Sequence, residues 1–155
     1  MQIDGDNPGP GKLRAMGELC YIYLRSPLHR HARLSDFRAL IQPPVDLDQV
    51  VIFRDGDQPR ASITWAFLSD EAEARFLADE PLRPSDWRSG KNMWVIEMVS
   101  LFGDRTGSKA VRWFLDSIPA HVTRLRWQRV DVSSGKRRLV TLTRTAGRWH
   151  RVGSE

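Results

Sequence analysis

Apolar residues recur along this chain with two different periods. Leu13, Met16, Leu19, Cys20, Tyr23 and Leu24 fall at helical spacing. They predict an amphipathic helix ending before Pro27, because a residue that precedes proline avoids the helical region. Residues 34–41 predict a second, short helix, stopped by Pro43 and Pro44. The period then shortens. Residues 49–54 and 60–67 read as strands joined through an Asp55-Gly56 turn, with Ile63 and Trp65 on one face. Ser69 can cap a helix over 70–78 whose first turn is acidic, and Pro81 and Pro84 end that stretch. Residues 93–101 (MWVIEMVSL) are apolar without alternation, the pattern of a central strand buried on both faces. A turn at Phe102-Gly103-Asp104 leads to a helix over 108–118, stopped by Pro119. Strands over 124–131 and 137–144 are joined through Ser133-Ser134-Gly135, and Trp149 lies in a C-terminal tail, placed to close the core.

Mixed strands and helices in 155 residues predict a single α/β (α+β) domain with one sheet flanked by helices. The Gly- and Pro-rich segment 1–12 reads as a flexible tail before a domain over 13–155. Net charge is +5 and the pI about 10.0, which favours acidic partners without choosing among nucleic acid, anionic lipid and an acidic carrier protein. The one cysteine, Cys20, excludes an intrachain disulfide and fits a reducing compartment. Histidines 29, 31, 121 and 150 lack metal-site spacing, so no metal is assigned. The first residues do not read as a secretory signal, and no apolar run approaches a membrane span. The expectation is a soluble, cytoplasmic protein.

Two places could carry chemistry. His29, in Ser26-Pro27-Leu28-His29-Arg30 directly after the first helix, is a candidate general base, since an unperturbed imidazole titrates near pH 6.5. Taken alone it reads more readily as an exposed polar histidine than as a base. Glu97 interrupts the apolar strand, where a carboxylate needs a reason. It either pairs with an arginine in the core or orients His29 and stabilises its protonated form, as in catalytic triads.

These stretches, together with Asp86-Trp87-Arg88-Ser89-Gly90, Trp94-Val95-Ile96-Glu97 and Phe102-Gly103-Asp104, resemble the toxin-activating lysine acyltransferases of RTX toxin systems. The likeness extends through Gly17, Pro59, Ala61, Trp65 and Arg129-Val130-Asp131, over about residues 15–132. It implies a GNAT-like fold and a homodimer. It also implies transfer of a fatty acyl group from acyl carrier protein to the ε-amine of an internal lysine of a protoxin or another protein or peptide. No cofactor is held permanently, and acyl-coenzyme A ranks behind the carrier as donor. The family's catalytic histidine falls on His29 and its serine neighbour on Ser26. Its catalytic aspartate falls on Glu97, one methylene longer. Met98-Val99-Ser100-Leu101 departs from the family's Trp-Ile-Ala-Pro run, and the C-terminal part matches poorly.

The chemistry is coherent on its own terms. A lysine amine is mostly ammonium at neutral pH, so a base must take a proton before it attacks a thioester. Two roles stay open for Ser26: orienting the histidine or substrate, and carrying the acyl group as an ester, the second ranked below direct transfer. Gly103, Asp104, Gly107 and Ser108, between a strand and a helix, could hold a donor phosphate on helix N–H groups, although a plain turn and cap fits as well. Arg124, Arg126, Arg137 and Arg138 form the expected docking face for the acidic carrier, with Arg30, Arg33 and Arg38 as second candidates. The competing reading is a nucleic-acid-binding domain without enzymatic activity, its strand arginines following phosphates and Trp127 stacking a base. No recognised binding motif supports it.

Overall fold

The computed structural model describes residues 8–103 and 106–153. Helix α1 spans Pro10–Arg25 and is followed by a 3-10 turn, Pro27–His29. Then come α2 (Leu34–Asp46), β1 (Val50–Asp55), β2 (Gln58–Leu68) and α3 (Asp70–Leu77). A second 3-10 turn, Pro84–Asp86, precedes β3 (Asn92–Ser100). The chain closes with α4 (Thr106–Ser117), β4 (Arg124–Val130), β5 (Arg137–Thr145) and β6 (Arg148–Val152). The six strands form one mixed sheet in sequential order. All neighbours are antiparallel except β3 and β4, which are parallel because α4 carries the chain back across the sheet. The domain is therefore α+β.

Alternation along the strands sorts the core onto two faces. Ile63, Met93, Val95 and Leu125 pack with Phe114 and Ile118 of α4. On the other face, Leu19, Ile22 and Tyr23 of α1 meet Ile41 and Val45 of α2 and Val99 of β3, with Val50 and Ile52 against them. Ala66, Leu68 and Trp94 extend that face under α3 through Ala72 and Phe76. Helices thus cover both sides, which explains the continuous apolar run in the first half of β3.

Several expectations shift. Helix α1 begins at Pro10, where the fixed φ of proline suits a first turn. Helix α2 does not stop at Pro43 but runs through both prolines to Asp46. They sit in its last turn, buried against the core, and their carbonyls still accept, from Leu47 N–H at 3.0 Å and Gln49 N–H at 2.8 Å. That lowers the cost of two missing donors. The C-terminal tail holds a sixth strand. Ala146 and Gly147, both with positive φ, make the tight turn that lets Arg148–Val152 pair with β5. Trp149 packs against the α4 side of the core, and its indole N–H donates to Leu115 O at 3.2 Å. Of the expected tail, residues 1–7 lie outside the described residues.

Candidate active site

The site begins with the turn after α1. Pro27 starts a 3-10 turn, and the Ser26 hydroxyl accepts from Leu28 N–H at 3.3 Å, capping it. Backbone bonds from His29 N–H to Ser26 O (3.1 Å) and from Ala32 N–H to His29 O (2.9 Å) fix the residues on either side. His29 is carried inward on this short rigid loop and is buried, as is Ser26. The exposed-histidine reading is thereby removed. Ser26 shapes the loop that presents the imidazole.

Glu97 reaches the same place by an irregularity of the sheet. Thr64 pairs with Glu97 but Trp65 pairs with Val95, so Ile96 is an extra residue, a β-bulge in β3. Strict alternation would put Glu97 with Met93 and Val95 on the α4 face. The bulge moves it to the α1 face, beside His29. The Glu97 N–H finds the buried Thr64 hydroxyl at 3.2 Å. The result is a contact of 3.1 Å between His29 Nε2 and Glu97 Oε2. The two residues singled out from the sequence, 68 positions apart, are in hydrogen-bond contact. Glu97 makes no core pair with an arginine among the described residues.

Sequence reading missed the other walls. Tyr23, fully buried, lies flat on the His29 ring with centroids 4.5 Å apart and planes 4° from parallel. Phe37 of α2 meets the edge of Tyr23 at 6.2 Å. Burial pushes the Tyr23 phenol far above its ordinary value, with the Glu97 charge adding to the effect, so it stays neutral. The Tyr23 hydroxyl lies beside those of Ser62 and Thr64, and His29 Nδ1 is buried with no hydrogen-bond partner among the described residues. In the sequence Tyr23 was one more member of an apolar helical stripe, and only its place one turn before SPLHR could have drawn notice.

An opening lies along the outer edge of Glu97's strand. β3 and β4 pair only at Met93–Leu125 and Trp94–Arg126, although β3 continues to Ser100 and β4 to Val130. From Val95 onward the β4-facing edge of β3 is unpaired among the described residues. On the α4 side a groove of about 370 Å³ is lined by Ile63, Met98, Ser100, Phe102, Gly107 and Ser108, among others. Gly107 and Ser108 of the proposed donor site therefore belong to this groove. Gly103 is exposed at the β3–α4 junction, and Asp104 lies outside the described residues.

The strand arginines are mostly engaged. Arg124 and Arg126 bond Glu73 of α3, each at 3.3 Å, and Arg137 pairs with Asp79. Arg138 is exposed, as are Arg30, Arg33 and Arg38. The Asp86–Gly90 motif is a clamp rather than a reacting group. Asp86 pairs with Arg75 at 2.8 Å and accepts from Arg83 N–H, Trp87 is buried, Arg88 donates to Gln49 at 3.1 Å, and Ser89 Oγ accepts from Ser69 N–H at 2.8 Å. The Arg75 guanidinium holds the Asp86 carboxyl below its ordinary range. Among the described residues no three His, Cys, Asp or Glu side chains are grouped to hold a metal.

A buried imidazole in contact with a half-buried carboxylate on a bulged strand marks this α+β domain as one with two proton-exchanging groups brought together by the fold. Comparison with known proteins gives this class its family. The family described as HlyC, RTX toxin acyltransferase family, matches residues 11–143. The chain belongs to that family. It is similar to the RTX-II toxin-activating lysine-acyltransferase ApxIIC of Actinobacillus pleuropneumoniae, 32% identical over 90 residues, 57% of this chain and 56% of that one. It is 36% identical over 93 residues to a protein-lysine myristoyltransferase HlyC of Escherichia coli, covering 59% and 55% of the two chains. The protein-lysine myristoyltransferase RtxC of Kingella kingae is 34% identical over 95 residues, 60% and 56%. The match spans little more than half the length of these curated relatives.

Proposed function

We propose that this protein transfers a fatty acyl group from a carrier-bound thioester to the ε-amine of a lysine in a protein or peptide acceptor, a protoxin by family analogy. The observation that carries this reading is the 3.1 Å His29–Glu97 contact on the bulge of β3, at the strand edge left open toward β4. The open edge can receive an extended thioester arm through backbone hydrogen bonds, as an added strand would. The pair then stands where the thioester carbonyl and the amine meet. It can take the proton that keeps the amine from attacking. No described helix is long and apolar enough to cross a membrane, and the proposal places the reaction in the cytoplasm, where acyl carrier protein is found.

Acyl carrier protein as donor follows from charge. The chain is basic, carriers of this type are acidic, and encounter would be steered. With Arg124, Arg126 and Arg137 tied to acids of their own chain, docking falls to Arg138 and to Arg30, Arg33 and Arg38. The same ion pairs weaken the nucleic-acid reading, because the strand face is not a row of unneutralised cations. The test supplies one acyl chain on carrier protein and on coenzyme A, with a lysine-containing acceptor, and reads the acyl mass on the acceptor at low and high salt. Carrier-dependent acylation that falls with salt is expected. Equal use of the coenzyme A thioester, or indifference to salt, overturns the donor assignment, and no lysine acylation with either overturns the function.

A further inference from the structure

We propose that the free end of the β4–β5 ribbon, centred on Arg129 and Arg138, is the docking surface for the acidic body of the acyl carrier protein. This rests on the proposed transfer from a carrier-bound thioester, and it narrows the candidate docking cations to one place.

Strand pairing leaves that end standing alone. β4 is joined to β3 only through Leu125 and Arg126, and β6 pairs with β5 only from Thr141 to Thr145. Trp127–Val130 and Arg137–Val140 therefore pair with each other and with no third strand among the described residues. The base of this ribbon is anchored. Trp127 and Leu139 pack against the core on opposite faces, and Val140 is buried. Beyond it, residues 129–138 are all exposed. A two-stranded ribbon is marginal in water by itself, and this one carries a further cost. Arg129 and Arg138 are directly opposed in the register, and like charges so placed destabilise a sheet. Neither has an ion pair with the described residues. Asp131, the one acid in the segment, is turned into the tip. Its carboxylate accepts from Ser133 N–H at 2.8 Å, Ser133 O–H at 2.6 Å and Ser134 N–H at 3.0 Å. Folding stability gives no reason for the arginine pair, whereas carboxylates brought by a partner would relieve it.

The composition of the segment selects the partner. Against Arg129, Lys136, Arg137 and Arg138 stand Asp131 and the Asp79 that pairs with Arg137. Val130 and Val132 are exposed among these charges. Cations interleaved with apolar contacts suit an acidic protein surface. Nucleic acid fits less well, since residues 129–138 hold no aromatic ring on which a base could stack. A second copy of the ribbon would bring like charges together. The tip is already ordered by bonds from Asp131 N–H to Lys136 O at 2.9 Å and from Gly135 N–H to Asp131 O at 2.8 Å, so docking loses little chain entropy. Position agrees. β3 and β4 are parallel, so the ribbon rises at the end of the sheet where β3 finishes and α4 starts. Alternation puts Arg129 and Arg138 on the α4 face with Leu125 and Trp127. That face also holds the groove lined by Gly107 and Ser108. A carrier seated there brings its thioester arm to the unpaired edge of β3.

The test needs no turnover. Apo acyl carrier protein, which lacks the thioester arm, is titrated into the full chain by calorimetry at low and high salt. The double variant Arg129→Gln, Arg138→Gln is expected to bind about tenfold or more weakly than wild type at low salt, with the gap narrowing at high salt. Arg129→Lys with Arg138→Lys keeps the charge and should recover most of the affinity. A charge-matched control on β6, Arg148→Gln with Arg151→Gln, should stay within about twofold of wild type. The Tm of the Arg129→Gln, Arg138→Gln protein should equal or exceed that of wild type, because opposed like charges are removed. A loss of affinity no greater than the control's, or a lower Tm that makes the pair structural, overturns the assignment. So does a wild-type preference for a single-stranded oligonucleotide over the carrier, or a dimer in sedimentation that Arg129→Gln with Arg138→Gln dissolves. Wild-type protein that binds the carrier through the ribbon yet acylates no lysine would instead overturn the acyl-transfer function and leave the docking site standing.

Discussion

Gly90→Ala isolates what the Asp86–Gly90 motif does. A Cβ at Gly90 would stand 2.5 Å from Ser69 Cα and 2.6 Å from both Leu68 O and Ser69 N, all of them backbone. Ordinary contact begins near 3.4 Å, so the two segments must part by about 1 Å. Three bonds hold them together: Gly90 N–H to Phe67 O at 3.0 Å, Ser89 N–H to Phe67 O at 2.8 Å and Ser69 N–H to Ser89 Oγ at 2.8 Å. Each contributes about 1 kcal/mol net, more if a buried group is left unpaired. Overpacking alone costs about 1–3 kcal/mol. The expected loss is therefore about 2–4 kcal/mol, a fall in Tm of roughly 5–15 °C for a chain of this length. Urea unfolding and thermal melts read it directly. Because the clamp joins the C-terminal end of β2 to the loop before β3, away from His29, the folded fraction at low temperature should keep its acyl-transfer rate. A loss under about 0.5 kcal/mol would refute the steric argument, and a dead enzyme with unchanged Tm would mean that the motif does chemistry after all.

Three further outcomes follow. Thr64→Val removes the acceptor of the bulge N–H at Glu97 and should cost about 1–3 kcal/mol while lowering acyl transfer; an active variant with wild-type urea midpoint would show that the bulge holds without it. The Asp86 carboxyl is depressed in the fold, chiefly by its hydrogen bond to Arg75. Its stabilisation is then present above the unfolded value near 3.8 and lost as pH falls through the folded one. Asp86→Asn should therefore be less stable than wild type at pH 7, with the gap closing in acid, and a gap constant with pH in urea titrations would contradict this. Trp94→Phe breaks the 2.7 Å bond from the buried indole to Glu73 and should cost about 1–3 kcal/mol in thermal unfolding, and no change would show that Arg124 and Arg126 suffice for Glu73.

Much of this protein was legible before folding was considered. Apolar spacing, a cap at Ser69 and proline and glycine breakers located all four helices, α2 without its last turn, and five of the six strands, because these local signals record which face an element buries and where it ends. His29 and Glu97 stood out as residue types at odds with their surroundings. The misses share a cause. Pro43 and Pro44 read as a stop by local preference, which ignores the core that buries them. β6 needed the positive-φ turn at Ala146 and Gly147 and an existing β5 edge. Tyr23 looked like any apolar position, since its flat contact with His29 exists only once the turn after α1 folds back.

The sequence by itself determined the α+β class, the order of elements and the two candidate groups, for these depend on side-chain type and short-range spacing. Only the tertiary structure decided how the pair is placed. One extra residue at Ile96 reverses the facing of Glu97, because strand side chains alternate with period two and a single insertion moves every later one to the opposite side. The same holds for the cover of Tyr23 over the His29 ring and for the parting of β3 from β4. Both are long-range contacts, absent from any local reading of the chain.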